Sequence, residues 1–249
     1  MSDSTIVLIT GANSGVGYAT TEAIVSQPGF HVILACRDPA KGNQARAELL
    51  QKHPKGSLSV LQLDVEDDNS IAQAVKSVTN EFGRVDAFIS NAGTTAVGAS
   101  GREKLQRTFS ANVFGAMMVT EAFIPLLLQS KQPRLVQISS GLGSLGLASD
   151  LSSPYAASPW DEYRMSKAAL NMMTIQMHKR LMGKNVRVFA YCPGLVRSRL
   201  RGESEEEVSA QGRAGDPMVP GRGLLDIVAG RRDEEAGQFL SAACGVFPW

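Results

Sequence analysis

The stretch TGANSGVG, residues 10–17, decides how this chain is read. It follows the β-branched run TIVLIT (5–10) and opens an apolar-periodic stretch that reaches about Gln27 and stops at Pro28-Gly29. Strand, glycine turn and helix in this order say more than a glycine pattern alone. Gly11, Gly15 and Gly17 permit a tight turn and let the backbone approach a bulky anion. The start of the helix offers unpaired N–H groups and a partial positive charge to a pyrophosphate. The spacing is GxxxGxG, not the GxGxxG of the common dinucleotide motif. A plain glycine-rich turn is the competing reading.

Working outward, short apolar runs alternate with helical periodicity. HVILAC (31–36), 58–64, VDAFIS (85–90), RLVQIS (134–139), NVRVFAY (185–191) and a short run near 238–242 read as further strands. Helices are predicted from Pro39 to about His53, along the shared face of Ile71, Val75 and Val78, over 102–128 and over 163–182. Continuous apolar strands alternating with helices predict an α/β doubly wound parallel sheet of about seven strands, with helices on both faces. No repeat, linker or low-complexity tract divides residues 1–249, so one domain is expected. Two irregular segments, about 141–162 and 195–222, follow strands. In open α/β sheets ligands sit beyond the carboxyl ends of strands, which makes both segments candidate substrate walls or lids. Solvated surface loops are the alternative.

The 25 Lys and Arg against 24 Asp and Glu leave a net charge of +1, so neither composition nor any basic tract points to nucleic acid. Cys36, Cys192 and Cys244 form no CxxC pair, which fits a reducing compartment. The opening MSDSTIVLIT has no positive n-region, so no secretory signal is expected. The apolar tract 113–128 holds Glu121 and Pro125 and reads as too short and interrupted to cross a bilayer. A soluble cytoplasmic protein is expected. His31, His53 and His178 have no metal-like spacing, and there is no G-x-S-x-G elbow.

YRMSK (163–167) sets a phenol and an ammonium four residues apart on a predicted helix, hence on one face. A nearby cation favours the phenolate, so Lys167 is expected to lower the pKa of Tyr163 toward working pH. Tyr155 has Pro159, not lysine, four residues on and cannot form the same pair.

Taken in order, TGANSGVG, LDV (63–65), SNAG (90–93), Asn112, Ser139-Ser140, YRMSK and Pro193-Gly194 resemble the short-chain dehydrogenase/reductase family nearly end to end. The resemblance implies a Rossmann-type fold and a nicotinamide cofactor. It assigns Gly11, Asn13, Ser14, Gly15, Val16 and Gly17, with Asp64, Val65, Asn91, Ala92 and Gly93, to the adenosine half or to the shape of its site. Pro193, Gly194, Val196 and Ser198 follow the sixth strand at the nicotinamide end, where Ser198 stands for the usual threonine. Tyr163 becomes the proton donor and Lys167 a ribose ligand. Ser140, rather than Ser139, binds the substrate oxygen, and Asn112 helps hold a proton-relaying water. Arg37 at the end of the second strand, with Lys41 and Asn13, favours the 2′-phosphate of NADP(H) over NAD(H). A solvated surface arginine is the competing reading of Arg37. Asp38 is expected to cap the helix at Pro39.

There are departures. Ser90 replaces the first asparagine of the family's NNAG turn. Ser140 and Tyr163 lie 23 positions apart, about ten more than usual, although carbonyl-reductase-like members share long spacings. The FPW ending is similar to that of fungal reductases of secondary metabolism. The implied function is an NADPH-dependent ketoreductase or carbonyl reductase acting on a small ketone, aldehyde or secondary alcohol. Leu142, Ser144, Tyr155, Trp160 and Leu195 are expected to wall the substrate. A non-catalytic NADP-binding sensor and a biosynthetic enzyme with a dehydration or cyclisation activity are the alternatives. A homodimer or homotetramer through the two long helices is expected, with Met117, Met118, Phe123, Met172 and Met173 facing either that interface or the core.

Overall fold

Eight strands run in the order β3-β2-β1-β4-β5-β6-β7-β8 in the computed structural model, which describes residues 4–243 and 245–249. Cys244 and the first three residues of the stretch read for a secretory signal lie outside the described residues. The first seven strands are parallel: β1 Thr5–Thr10, β2 Phe30–Cys36, β3 Ser57–Gln62, β4 Ala87–Ser90, β5 Arg134–Ile138, β6 Arg187–Cys192 and β7 Phe239–Ser241. Strand alternation divides the core. Val7 and Ile9 face one cluster with Ile24, Leu224 and Ile227, while Ile6 and Leu8 face another with Phe88, Val119 and Phe123. The helices covering these faces include α1 Gly15–Val25, α2 Pro39–Gln51, α3 Asp68–Glu81 and, at the far end of the chain, α9 Met218–Val228.

The expected seven strands gain an eighth. Gly245–Phe247 forms β8, antiparallel to β7. Three residues, one of them glycine and two of them exposed, carry too little apolar alternation to be read from sequence. The helix expected over 102–128 has three parts: α4 Gly101–Phe109, a π-helical turn Ser110–Gly115, and α5 Ala116–Leu127. Such turns insert one residue into the helical ladder and recur at functional sites. The joined run Gly101–Leu127 is long and apolar enough to cross a bilayer, longer than the tract read from sequence. Its apolar character is accounted for by the core, where Val119, Phe123 and Leu127 are wholly buried. The expected 163–182 helix is α7 Asp161–Leu181; α6 Leu145–Ser149 and α8 Glu205–Val208 are short.

Chain order reverses between β1 and β4, which neighbour each other after β1 has paired with β2. At such a switch point the loops leaving two strands diverge and leave a crevice. The glycine loop leaves β1 there, and Asn91 leaves β4.

Candidate active site

Gly11 and Gly15 have φ of +63° and +53°, a region that side-chain-bearing residues rarely adopt. At Gly17 the constraint is space: a Cβ would stand 2.5 Å from the Gly11 carbonyl oxygen and 2.6 Å from Asn91 Nδ2. Asn91 ties the two strand ends together. Its side-chain amide donates to the carbonyls of Thr10 (2.8 Å) and Gly11 (3.1 Å). The Thr10 hydroxyl accepts from the backbone N–H groups of Asn91 (2.9 Å) and Ala92 (3.0 Å). Above this floor opens a cleft of ≈ 680 Å³. Gly11, Asn13, Ser14, Gly15 and Val16 line one end, and Asp64, Val65, Asn91, Ala92 and Gly93 continue it. Tyr163, Lys167, Pro193 and Ser198 line the other side.

Arg37 lines this cleft at the end of β2. Lys41 does not; it lines a neighbouring cleft of ≈ 410 Å³ across the glycine loop, which shares Asn13, Ser14, Gly15 and Ser198. Asp38 caps α2 as expected, accepting from the Ala40 N–H at 2.9 Å. Its carboxylate is thereby committed to the helix.

Tyr163 falls in the first turn of α7, and Lys167 follows one turn later. Lys167 is buried; its Nζ donates to the Ile138 carbonyl at 2.8 Å and lies 5.6 Å from the Tyr163 ring centroid. The Ser140 hydroxyl lies beside the Tyr163 phenol, close enough to favour its ionised form. Ser139 turns the other way, its hydroxyl donating to Asn171 Oδ1 at 2.5 Å in the interior. The second serine of the pair is therefore the one that meets the tyrosine.

Asn112 sits in the π turn, wholly buried. Its Oδ1 accepts from the Thr94 N–H (2.8 Å), and its Nδ2 donates to the Thr94 carbonyl (2.9 Å) and Ser166 Oγ (3.0 Å). The side chain thus joins the turn after β4 to α7.

The electrostatics differ from the sequence expectation. Tyr163 is densely surrounded by protein yet keeps a face in the cleft, and burial drives its phenol well above the ordinary range. The Cys192 sulfur adds to that rise, while the Ser140 hydroxyl and the Arg201 guanidinium oppose it. Burial also pushes the Lys167 ammonium down to about 8, with Cys192 opposing. Desolvation sets the direction of both shifts, and neither group figures among the causes of the other's.

The segment after β6 forms a lid. Val196 bridges Gly215, and Ser198 accepts from the Leu200 N–H at 3.4 Å and lies against Gly15. Gly194, at φ +77°, makes the turn into the lid. Arg201, which the sequence reading passed over, holds the lid together: its guanidinium donates to the carbonyls of Val196 (2.8 Å), Glu207 (3.0 Å) and Val208 (2.8 Å). Thr95 Oγ1 donates to the Leu200 carbonyl at 2.8 Å and latches the lid to the turn after β4. Nothing local in the sequence marks Arg201 or Thr95, because both act through contacts set by the lid's path.

The expected substrate wall is placed elsewhere. None of Leu142, Ser144, Tyr155, Trp160 and Leu195 is among the residues lining the ≈ 680 Å³ cleft. Ser144 is buried, donating to the Pro248 carbonyl at 2.6 Å and capping α6 through the Leu147 N–H at 3.0 Å. The Tyr155 ring packs edge-on against Phe247, where burial against the β7–β8 end outweighs an open cleft. The Leu142 N–H donates to Ser140 Oγ at 3.2 Å. Trp160 caps α7 at φ +91° with the Lys104 ammonium 5.8 Å from its ring, and Leu195 is exposed. The cleft beyond Gly93 is instead lined by Ala96, Val97, Arg107 and Leu200. Among the described residues no cluster of His, Cys, Asp or Glu could hold a metal ion.

Comparison with known proteins agrees with this geometry. The family model described as short chain dehydrogenase matches residues 5–209. The short-chain dehydrogenase/reductase tropE of Talaromyces stipitatus is 33% identical over 262 residues, covering 96% of each chain. The short-chain dehydrogenase/reductase eupG of a Phoma species is 36% identical over 259 residues, covering 93% of this chain and 92% of its own. Among solved structures, the NADPH-bound carbonyl reductase from chicken fatty liver superposes with a TM-score of 0.82 at 26% identity over 99% of both chains. With the family model spanning both the glycine cradle and the Ser140, Tyr163 and Lys167 wall, this chain belongs to the short-chain dehydrogenase family of oxidoreductases.

Proposed function

We propose that this protein is an NADPH-dependent carbonyl reductase that interconverts a ketone or aldehyde and its alcohol, with Tyr163 as the general acid and base. The observation that carries the reading is the placement of the Tyr163 phenol, with Ser140 beside it, and of the buried Lys167 ammonium on a cleft that begins at a glycine cradle. The residues fit a dinucleotide. A Cβ at Gly17 would strike the Gly11 carbonyl and the Asn91 amide, and one at Gly93 would press on Asn112 Oδ1 at 3.0 Å, so bare glycine keeps the loop and the turn after β4 close in beneath the cleft. When bound, the reduced nicotinamide supplies the hydride.

The chain's own groups do the rest. The Ser140 hydroxyl donates to the substrate carbonyl oxygen and polarises it. As negative charge grows on that oxygen, the Tyr163 phenol hands over its proton. Lys167, a turn away, stabilises the phenolate left behind, and its pKa of about 8 keeps it mostly charged near neutral pH. Arg37 in the cleft and Asp38 committed to capping favour a 2′-phosphate over a free 2′-hydroxyl. The NADPH-bound chicken carbonyl reductase supports the same preference. Ala96, Val97 and Leu200 suit a partly apolar substrate.

Two further parts of the reading rest on the surface and the thiols. Phe114, Met117, Met118 and Met172 are exposed along the π turn, α5 and α7, beside a groove of ≈ 620 Å³, and support association into a homodimer or homotetramer; Phe123 belongs to the core. The buried thiols of Cys36 and Cys192 support a reducing, cytoplasmic setting.

The test is NADPH consumption over a panel of aryl ketones and quinones, repeated with NADH. Tyr163→Phe is expected to lower turnover by about 10²–10⁴-fold. Turnover within about twofold of wild type would remove Tyr163 from its role.

A further inference from the structure

Behind Ser140 lies a layer of aromatic rings that the proposed chemistry does not use. Gly141, the next residue, has no space for a side chain: a Cβ there would stand 2.6 Å from Tyr155 Cε1 and 3.0 Å from Phe247 Cε2. Tyr155 and Phe247 meet edge to face at 5.6 Å, Phe247 and Phe239 do the same at 5.6 Å, and Phe239 stacks on Trp249 at 5.5 Å. Offset and edge-on pairs of this kind are rigid as well as apolar.

The layer is fastened on several sides. The Ser144 hydroxyl donates to the Pro248 carbonyl at 2.6 Å, and the Gly146 N–H donates to the Trp249 oxygen at 3.0 Å. From α7, Arg164 donates to the carbonyls of Tyr155 (2.6 Å) and Ser158 (3.1 Å). The Gly141 N–H donates to Cys192 Sγ at 3.1 Å, which fixes the start of the segment to the end of β6. The two ends of this inserted segment are Ser140 and the first turn of α7, which bears Tyr163. Just before that turn Trp160 holds φ +91°, a conformation a tryptophan keeps only when its surroundings impose it. Movement of the segment therefore moves both reacting hydroxyls.

We propose that the Tyr155, Phe247 and Trp249 layer is a positioning element that sets the Ser140 hydroxyl against the Tyr163 phenol. Packed interiors transmit displacement rather than absorb it. The kinetic side of this proposal rests on the carbonyl reductase reading; the structural side does not.

Phe247→Ala opens space beside Gly141 without touching the cleft. Its kcat is expected to fall about tenfold or more, since displacements near 1 Å in a reacting group cost up to about 10²-fold. The NADPH dissociation constant is expected to stay within about threefold, because the cradle at β1 and β4 is untouched. Tyr155→Phe, which keeps the ring, is expected to hold kcat within about twofold. Crystal structures of wild type and variant are expected to show Ser140 Oγ withdrawn from the Tyr163 hydroxyl. A folded Phe247→Ala protein with wild-type kcat, or one whose Ser140–Tyr163 contact is unmoved, overturns the proposal. If Phe247→Ala does not fold, Phe247→Leu, which keeps bulk but not the ring edge, is judged by the same two results. A wild-type protein that turns over none of the carbonyl panel defeats the functional reading alone, and the pair of crystal structures then decides the role of the layer.

Discussion

On the floor of the cleft, the Asn91 amide and the Thr10 hydroxyl hydrogen-bond backbone groups of adjacent strand ends, Gly17 packs beneath them, and none of these groups carries a charge. On the facing wall, Lys167 is a buried cation, Tyr163 a desolvated phenol, and the segment between Ser140 and Tyr163 leans on Pro248, 104 positions along the chain from its partner Ser144. The floor is made where the fold already brings two strands together, so it needs little beyond glycine. The wall opposes folding in its ionisable groups and has to be held by structure from elsewhere.

Removing the wall's charge gives the largest expected effect. Lys167 in the fold is pushed down to about 8 from the ordinary lysine value of 10.5. Between those values the unfolded chain binds more protons than the folded one, so stability rises with pH through that window; below about 8 the whole penalty is present. Its upper size is about 3 kcal/mol, at about 1.4 kcal/mol for each tenfold change in proton affinity. Tyr163, shifted upward, acts in the opposite sense, but only above its unfolded value near 10. Between pH 8 and 10 the phenol is therefore silent, and comparing a variant with wild type cancels the buried Cys36 thiol, which is also shifted upward. Urea unfolding of Lys167→Met and wild type is expected to differ most in the variant's favour below pH 8, with the difference shrinking toward pH 10. A difference that stays flat from pH 7 to 10 would show that the burial of this amine carries no such cost.

The corresponding blow to the floor is Gly17→Ala. The new Cβ would overlap the Gly11 carbonyl and the Asn91 amide, and such overpacking costs about 1–3 kcal/mol. Relief requires the glycine loop to move, so NADPH affinity is expected to drop by about tenfold or more at 25 °C. Fluorescence titration of NADPH reads this directly; an unchanged dissociation constant would mean that the loop has slack the contacts do not show.

This contrast also explains what could be read from residues alone. The glycine loop, the Asp38 cap and the Ser140, Tyr163 and Lys167 set were legible because each depends on the strand or helix that carries it. The alternation of apolar runs was enough for seven parallel strands. The direction of the Tyr163 shift was not legible, because it is set by burial in the folded chain and by Cys192 and Arg201, which only the fold brings beside it. Ser144 and Tyr155 were assigned to the cleft because they lie in the segment after Ser140. Their partners Pro248 and Phe247 belong to a tail whose three-residue strand has no periodicity to announce it. The π turn at Asn112 shows the same limit: its sequence looks helical, and only the demand of the Thr94 backbone and Ser166 for the Asn112 amide gives the extra residue a purpose.

The smallest expected effect lies at the rim of the floor, at Arg37. It is exposed and its partner would be exposed too, so solvent screening reduces what a charge-assisted contact contributes. Were Lys41 in the same cleft, two cations would share the phosphate and neither deletion would matter much. The structure instead puts Lys41 across the glycine loop, so the preference rests mainly on one guanidinium. Arg37→Ala is therefore expected to lower the NADPH-over-NADH ratio of kcat/KM about tenfold, a contribution of roughly 1.4 kcal/mol. Lys41→Ala is expected to change the same ratio by less than about threefold. The reverse ranking would mean that the phosphate lies on the α2 side of the loop, and the cradle would then have to be redrawn as one continuous trough through both clefts.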